Sequence, residues 1–254
     1  MNKNTETKIV KNNFSKSVNS YDANAMFQLY SSNELIEFVK EKIDFEPKKI
    51  LEIGCGTGFL TEKILSLFPN AEITACDISE DMIFRCMEKM ENISEDANIK
   101  YLVCDAQKDL PNEEFDLIIS GLTIQWFNLK LFLGQLKNSP RIIFSTLTNK
   151  TFQNLRGLFD NNRIEFTGPK LLSYEKLNSI CEEFATEIEL KKIIYNEEYK
   201  NIIQMLKNIQ LTGTGNATGK ILSTSLLRNI IKKAGRGEFK DIYELVIVDC
   251  KIKE

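Results

Sequence analysis

The sequence predicts an α/β fold in which helices cover a mostly parallel sheet. An apolar run at 50–53 stops at a cluster of glycines and is followed by apolar residues at helical spacing, which is typical of a strand, a tight turn and a helix. Further short apolar runs at 72–76, 99–104, 117–120 and 141–146 predict more strands. Because helical or turn segments separate these runs, we expect the strands to lie side by side in one parallel sheet.

The composition indicates one globular domain and excludes several kinds of catalysis. The chain has 254 residues, of which 43% are hydrophobic and 27% are charged, and no apolar run is long enough to span a bilayer. Its six cysteines form no C-x-x-C pair, and it contains no histidine. The sequence therefore predicts no metal site and excludes Ser-His-Asp and Cys-His catalysis. Scattered cysteines of this kind predict a reduced, cytoplasmic protein.

The most informative local pattern is Glu52-x-Gly54-x-Gly56-x-Gly58. Glycines let the backbone turn sharply and approach a ligand closely, and the helix that follows directs its free N–H groups at the turn. A dinucleotide-binding loop usually reads G-x-G-x-x-G, whereas this turn has a different spacing and continues with Phe59. The pattern resembles motif I of the class I S-adenosylmethionine-dependent methyltransferases. Taken alone, the turn also leaves a nucleotide enzyme or a chance turn open.

Acidic residues end the second and third predicted strands. Asp77 follows the glycine turn by about 20 residues, where an acid accepts hydrogen bonds from the hydroxyls of a ribose. Asp105 is placed on the far side of the same cleft, where it could accept a hydrogen bond from the amino group of an adenine. Nucleotide cofactors and S-adenosylmethionine share the ribose, so Asp77 supports cofactor binding without choosing the cofactor.

The segment that leads into the fourth strand makes the choice. Asp105-Ala106, Leu110-Pro111 and the run at 115–120 resemble the D-A, L-P and F-D-L-I-x-S elements of the class I methyltransferases. The resemblance implies that S-adenosylmethionine is the cofactor, that S-adenosylhomocysteine is the product and that no metal takes part. It also implies cofactor contacts from the following residues: Glu52, Gly54, Cys55, Gly56, Asp77, Ile78, Met82, Asp105, Ala106 and Ser120.

A narrower resemblance covers nearly the whole chain. Short segments are similar to the malonyl-acyl-carrier-protein O-methyltransferases of biotin synthesis: Phe14-Ser15, Tyr21-Asp22, the run 122–126, the run 144–147, the run 206–216 and the run 242–245. The family's usual Pro-Gly-Gly turn before the fifth strand is replaced here by Asn138-Ser139-Pro140. The resemblance implies methylation of the free carboxylate of a malonyl group carried on acyl carrier protein.

The same resemblance implies a fold and a set of boundaries. The fold is the Rossmann-like class I methyltransferase fold, an α/β fold with a seven-stranded, mostly parallel sheet, an antiparallel last strand and a helical insertion before it. We expect a single domain over 1–254. Its parts are a disordered tail (1–12), an N-terminal helical cap (12–45), a cofactor-binding core (47–146), helices with the sixth strand (147–195), a basic helical insertion (196–240) and the last strand (241–252).

The methyl-transfer site is expected to need no general base, because a malonyl carboxylate is already ionised at neutral pH. Tyr21, Gln125 and Trp126 are expected to line the site, although packing under the next helix explains Trp126 equally well. The family often has an Asn-Arg-Phe after the helix at 151–160, and this chain reads Asn-Arg-Ile-Glu-Phe there. Arg156 or Arg163 is therefore the expected clamp for the substrate carboxylate.

The insertion is basic within an acidic chain. From 200 to 240 there are eight Lys and Arg residues and one acid, a net charge of +7, whereas the whole chain carries −3. We expect this surface to dock the acidic carrier protein through Lys220, Arg228, Lys232, Lys233 and Arg236. The alternative that these charges form only a solvent-exposed face, with no binding partner, stays open. Nucleic acid is disfavoured as a partner because no aromatic residue, on which a nucleobase could stack, lies among these Lys and Arg residues before Phe239.

Three other functions stay open at this point. A methyltransferase of the same fold that acts on a free small acid, as trans-aconitate methyltransferases do, would need no carrier protein. A nucleic-acid methyltransferase would be favoured only by the basic insertion, and its binding would depend steeply on salt. A non-enzymatic protein would bind S-adenosylmethionine and methylate nothing.

Overall fold

The computed structural model describes residues 3–136, 141–220 and 222–253, and within them one sheet contains seven strands. The strands are β1 (Lys49–Ile53), β2 (Glu72–Asp77), β3 (Ile99–Val103), β4 (Leu117–Gly121), β5 (Arg141–Leu147), β6 (Ala185–Tyr199) and β7 (Phe239–Ile252). Their order is β3-β2-β1-β4-β5-β7-β6. The first five pair in parallel, and β7 runs antiparallel to both β5 and β6. The predicted fold class is confirmed.

The helices are α1 (Lys3–Asn24), α2 (Met26–Lys42), α3 (Phe59–Leu67), α4 (Glu80–Glu91), α5 (Leu129–Leu133), α6 (Gln153–Asn161), α7 (Tyr174–Phe184), α8 (Ile202–Leu211) and α9 (Thr224–Ala234), with a 3₁₀ turn at Ile124–Trp126. Among the described helices, none is both long and apolar enough to cross a membrane.

The central strands are buried on both faces. Ile50 and Leu117 pack with α2 and α3 on one face, whereas Leu51 and Ile118 pack with α5 and α7 on the other. Each of these four side chains is at most 1% exposed. This two-sided burial explains why the strands read as continuous apolar runs rather than as alternating patterns. It leaves the carboxyl edge of the parallel strands as the place for a ligand.

The predicted disordered tail at 1–12 is wrong for the described residues, because α1 begins at Lys3. Side chains of α1 contact segments that are distant in the sequence. Asn13 donates to the carbonyl of Asn216 at 2.7 Å, and Asp22 accepts a hydrogen bond from Thr57 at 2.5 Å. The polar start of the chain hid this helix from sequence reasoning, since contacts with distant segments hold it in place.

The connection between β6 and β7 is shorter than the predicted insertion at 196–240. The antiparallel ladder continues to the pair Tyr199 and Phe239, so the connection spans 200–238 and contains α8 and α9. Its inner side packs on the end of β7, where the rings of Phe27 and Tyr243 stack with centroids 3.8 Å apart. The turn at 138–140 lies outside the described residues.

Candidate functional site

A cavity of about 430 Å³ lies at the carboxyl edge of the parallel strands. The strand ends form its floor, α1 forms one wall, and the segments 168–172 and 217–218 border it from the second half of the chain. Ten of the predicted site residues line this cavity: Tyr21, Gly54, Gly56, Asp77, Ile78, Met82, Asp105, Ala106, Gln125 and Trp126. The topology therefore brings the predicted cofactor residues and the predicted methyl-transfer residues into one space.

The glycine turn after β1 packs closely against the turn after β4. Gly54 has φ +74°, and a Cβ there would lie 2.0 Å from Oγ1 of Thr123. The amide of Gly54 donates to the carbonyl of Cys76 at 2.7 Å, which joins the turn to the end of β2. Only glycine allows this approach, because any side chain would force the two turns apart.

Asp77 links the cavity to the glycine turn. Its carboxylate accepts hydrogen bonds from the amides of Gly56 at 3.1 Å and Ser79 at 2.8 Å. Burial raises the pKa of Asp77, and the N–H groups of Ser79, Gly56 and Ile78 offset part of that rise. The side chain is thus held in position while it lines the cavity, as a group that accepts hydrogen bonds from a ligand must be. Ser79 also caps α4.

Asp105 lies at the far end of the same floor. Its carboxylate forms an ion pair with Lys108 at 2.8 Å and accepts a hydrogen bond from the backbone amide of Gln107 at 3.3 Å. The side-chain oxygen of Gln107 accepts a hydrogen bond from the backbone amide of Asn128 at 2.8 Å. This bond connects the loop to the segment that follows the 3₁₀ turn. The acid is therefore oriented by its neighbours before any ligand binds.

Aromatic side chains form the wall beside α1. The ring of Phe14 meets Trp126 edge to face with centroids 5.8 Å apart, and it lies 6.4 Å from the ring of Tyr21. The indole N–H of Trp126 is buried and has no hydrogen-bond partner among the described residues. Burial raises the pKa of Tyr21, so its hydroxyl stays protonated at neutral pH. The wall thus combines apolar surface with polar donors.

Gln125 supports this wall from below. Its side-chain oxygen accepts the amide of Leu147 at 3.2 Å, which connects the 3₁₀ turn to the end of β5. This hydrogen bond leaves the two amide hydrogens of Gln125 as donors on a residue that lines the cavity.

Three predicted cofactor residues do not line the cavity. Ser120 is buried and donates to the carbonyl of Ile53 at 2.8 Å, so it braces the end of β1 from the neighbouring strand. Cys55 is 5% exposed and turned into the cluster under α4. Glu52 is fully buried two residues before Gly54, and neither of its oxygens has a hydrogen-bond partner among the described residues. Burial raises the pKa of Glu52 well above its ordinary value.

Neither predicted arginine clamp lines the cavity. Arg156 donates to the carbonyls of Thr151 at 2.9 Å and Pro169 at 3.3 Å, and its guanidinium lies 4.2 Å from the centre of the Phe166 ring. Arg163 is exposed just beyond α6 in a left-handed conformation with φ +55°. The guanidinium groups are therefore committed to backbone and ring contacts in the first case and exposed to solvent in the second.

Sequence reasoning missed Lys170, Phe14 as a wall residue, and Thr123. Lys170 is the cation that lines the cavity among the described residues. No motif marks it, because it stands in an irregular segment between α6 and α7 that reaches the cavity only through tertiary packing. Phe14 belongs to a segment that the sequence analysis singled out only for its family resemblance. Thr123 could be recognised only from its approach to Gly54.

The basic surface of the insertion is concentrated on α9 and the turn that follows it. Arg228, Lys232, Lys233 and Arg236 are exposed, and none has an ion-pair partner in the part of the chain that the structure describes. Arg228 and Lys232 are four residues apart on the helix and therefore share one face. Lys220 differs, because it pairs with Glu165. The surface that we call the α9 patch therefore consists of four unpaired cations.

The buried Glu52 makes a prediction about stability. The folded protein holds the proton of Glu52 to a higher pH than the unfolded chain does, so stability is lost as pH rises above about 4.3 toward the raised pKa. We expect the melting temperature of Glu52→Gln, relative to the unaltered protein, to increase between pH 5 and pH 8. The effect reaches at most about 1.4 kcal/mol per pH unit.

The measurement is thermal unfolding of the cofactor-free protein across that pH range. Glu62→Gln, on the exposed side of α3, controls for the loss of one carboxylate. A difference between Glu52→Gln and the unaltered protein that stays constant with pH would contradict the prediction.

Comparisons with known proteins identify a family and a fold. The family described as "Methyltransferase domain" matches residues 50–139. A putative methyltransferase from Bacillus halodurans has a similar structure, with a TM-score of 0.62 at 12% identity, over 87% of this chain and 100% of that one. This likeness shows the fold alone.

Curated relatives are more specific. A malonyl-[acyl-carrier protein] O-methyltransferase of Ilyobacter polytropus is 33% identical over 219 residues, which are 84% of this chain and 82% of the relative. One of Priestia megaterium is 37% identical over 191 residues, 69% of this chain and 67% of the relative. With this extent of similarity and the cavity described above, the chain belongs to the family of malonyl-[acyl-carrier protein] O-methyltransferases.

Proposed function

We propose that this protein transfers the methyl group of S-adenosylmethionine to the free carboxylate of malonyl-acyl carrier protein, an early step of biotin synthesis. The observation that carries the proposal is the single cavity that joins the strand-end acids Asp77 and Asp105 to Gln125 and Trp126. Relatives that are named for this reaction align with most of the chain. A cytoplasmic location is part of the proposal, since all six cysteines are free thiols.

The residues present fit the cofactor. Asp77 would accept hydrogen bonds from the ribose hydroxyls, Asp105 would accept a hydrogen bond from the adenine amino group, and the turn at Gly54 and Gly56 would hold the methionine part. The orphaned indole N–H of Trp126 supplies a donor that the protein itself does not satisfy. When bound, the cofactor supplies an electrophilic methyl group on a sulfonium. Glu52, Cys55 and Ser120 support these contacts from behind the turn.

The protein's share of the reaction is to orient the acceptor and exclude water. An ionised carboxylate needs no base, so a chain without histidine can serve. Tyr21 and Trp126 close the wall of the cavity, and Gln125 presents amide donors to an acceptor oxygen. Alignment of the attacking oxygen in a water-poor cleft is then the main source of rate enhancement.

The α9 patch is the proposed docking surface for the carrier. Acyl carrier proteins are acidic, and the four unpaired cations provide opposite charge on one surface. The same insertion contributes Ala217 and Thr218 to the cavity lining. The docking surface and these two lining residues therefore belong to the same insertion, which suits the delivery of a tethered acyl group.

The first experiment follows a labelled methyl group from S-adenosylmethionine. We expect label on malonyl-acyl carrier protein, and we expect mild ester hydrolysis to remove it. Malonyl-coenzyme A, free malonate, trans-aconitate and a reaction without acceptor run in parallel. Label only on a free acid would replace the carrier-dependent reaction with a small-acid methyltransferase. Bound cofactor without transfer to any acceptor would contradict the enzymatic proposal.

Charge reversal on α9 tests the docking surface. We expect Lys232→Glu/Lys233→Glu to raise the KM for malonyl-acyl carrier protein by about tenfold at low salt, because it places acids opposite an acidic partner. The KM for S-adenosylmethionine should not change, and added salt should reduce the difference.

The matched control is Lys40→Glu/Lys48→Glu, which makes the same change in net charge at exposed positions away from α9. Equal effects of the two double variants on the KM for the carrier would show a general charge effect and would remove α9 as the docking surface.

Gly56 tests the cofactor site. Its φ is +55°, and a Cβ there would meet no atom within 4 Å, although the residue lines the cavity. We expect Gly56→Ala to cost only about 1–2 kcal/mol of stability, from the left-handed backbone. Its affinity for S-adenosylmethionine should fall at least about tenfold, because the new methyl group occupies space that the ligand needs.

Isothermal titration with S-adenosylmethionine measures this affinity, and thermal unfolding measures the stability. Gly157→Ala in α6 is the control, since a Cβ there also meets no atom within 4 Å but the residue does not line the cavity. Unchanged affinity in Gly56→Ala would mean that the turn does not contact the cofactor.

A further inference from the structure

We propose that Lys170 binds the free carboxylate of the acyl substrate, and that Arg156 positions it by holding the segment on which it stands. This inference deepens the proposed function and rests on it. Neither predicted arginine reaches the cavity, whereas Lys170 lines it. An acyl carboxylate that leaves water needs a cationic or hydrogen-bonding partner, because an unpaired charge is costly to bury.

The segment 167–172, which we call the strap, is held at three points. The carbonyl of Thr167 accepts the amide of Ala217 at 2.9 Å, and the carbonyl of Leu172 accepts the amide of Asn149 at 2.8 Å. Between these two bonds, the carbonyl of Pro169 accepts a hydrogen bond from Arg156 at 3.3 Å. The strap is irregular in secondary structure, yet its backbone is positioned immediately before Lys170.

Arg156 is suited to hold the strap and unsuited to bind a ligand. Its guanidinium spans from the carbonyl of Thr151 to that of Pro169 and stacks on the ring of Phe166. Gly168 makes room for that ring, because a Cβ there would lie 2.4 Å from the Cε1 atom of Phe166. The donors and the planar face of the guanidinium are therefore used in contacts within the protein.

The charges around Lys170 leave it available. The pKa of Glu165 is lowered mainly by its hydrogen bond to Lys220, and the charge of Lys170 contributes less. Glu165 already pairs with Lys220. Among the described residues, no carboxylate lies within ion-pair distance of Lys170. Lys170 is exposed to solvent, and its side chain is flexible. Its ammonium group can therefore move to pair with a substrate carboxylate at the cavity.

Binding measurements on two carrier species test the proposal without any need for turnover. The dissociation constants of malonyl-acyl carrier protein and acetyl-acyl carrier protein are measured on the protein saturated with S-adenosylhomocysteine. We expect the unaltered protein to prefer the malonyl form by about 10- to 100-fold, the range for a hydrogen bond to a charged group. Lys170→Met should lose most of that preference, and Lys170→Arg should recover it.

Lys150→Met is the matched control, because Lys150 is exposed on the loop that pairs with the strap and does not line the cavity. It should keep the preference for the malonyl form. Equal binding of both carriers by the unaltered protein, or a full preference in Lys170→Met, would overturn the proposal. Absence of methyl transfer by the unaltered protein would instead contradict the proposed function, since the binding comparison stands apart from turnover.

The role of Arg156 is tested by a double-mutant cycle. We expect Arg156→Lys, which keeps the charge but not the two-carbonyl span, to lower the preference for malonyl carrier in the unaltered background and to add little in Lys170→Met. Affinity for S-adenosylhomocysteine should stay unchanged in each variant. Additive effects of the two substitutions would show that Arg156 does not act through Lys170.

Discussion

The close approach of the glycine turn after β1 to the turn after β4 is the constraint on which the site depends. It exists because Gly54 carries no side chain where Thr123 lies, and because the same turn is bonded to the end of β2. This approach holds Gly56 within hydrogen-bond distance of Asp77. The acid and the glycine turn are therefore one assembly rather than two independent features, and a change in either would displace the other.

Segments outside the parallel core complete the cavity. Helix α1 supplies an aromatic wall, the strap supplies a cation, and the insertion supplies the loop at 217–218. These pieces are bonded to one another, as in the contact from Asn13 to Asn216 and the one from Ala217 to Thr167. The loop at 216–217 is therefore bonded to both α1 and the strap.

Charge is divided between the inside and the outside of the site. The cavity floor carries the acids Asp77 and Asp105, which suit the hydroxyl and amino groups of a cofactor, and its rim carries Lys170. The α9 patch extends positive charge over the outer surface of the insertion. A reaction that needs no general base is consistent with this division, because an acceptor that is already ionised needs orientation and desolvation rather than proton transfer.

The sequence by itself determined the parallel core, the glycine turn and the strand-end acids, because each is set by neighbouring residues: buried runs, tight turns and strand ends are local. Only the tertiary structure decided that residues 3–12 are helical, that Arg156 holds the backbone and that Lys170 reaches the cavity. These features depend on residues far apart in the chain, such as Arg156 with Pro169 or Asn149 with Leu172. No local pattern encodes such contacts, since the segments involved gain their conformation from packing rather than from their own propensity.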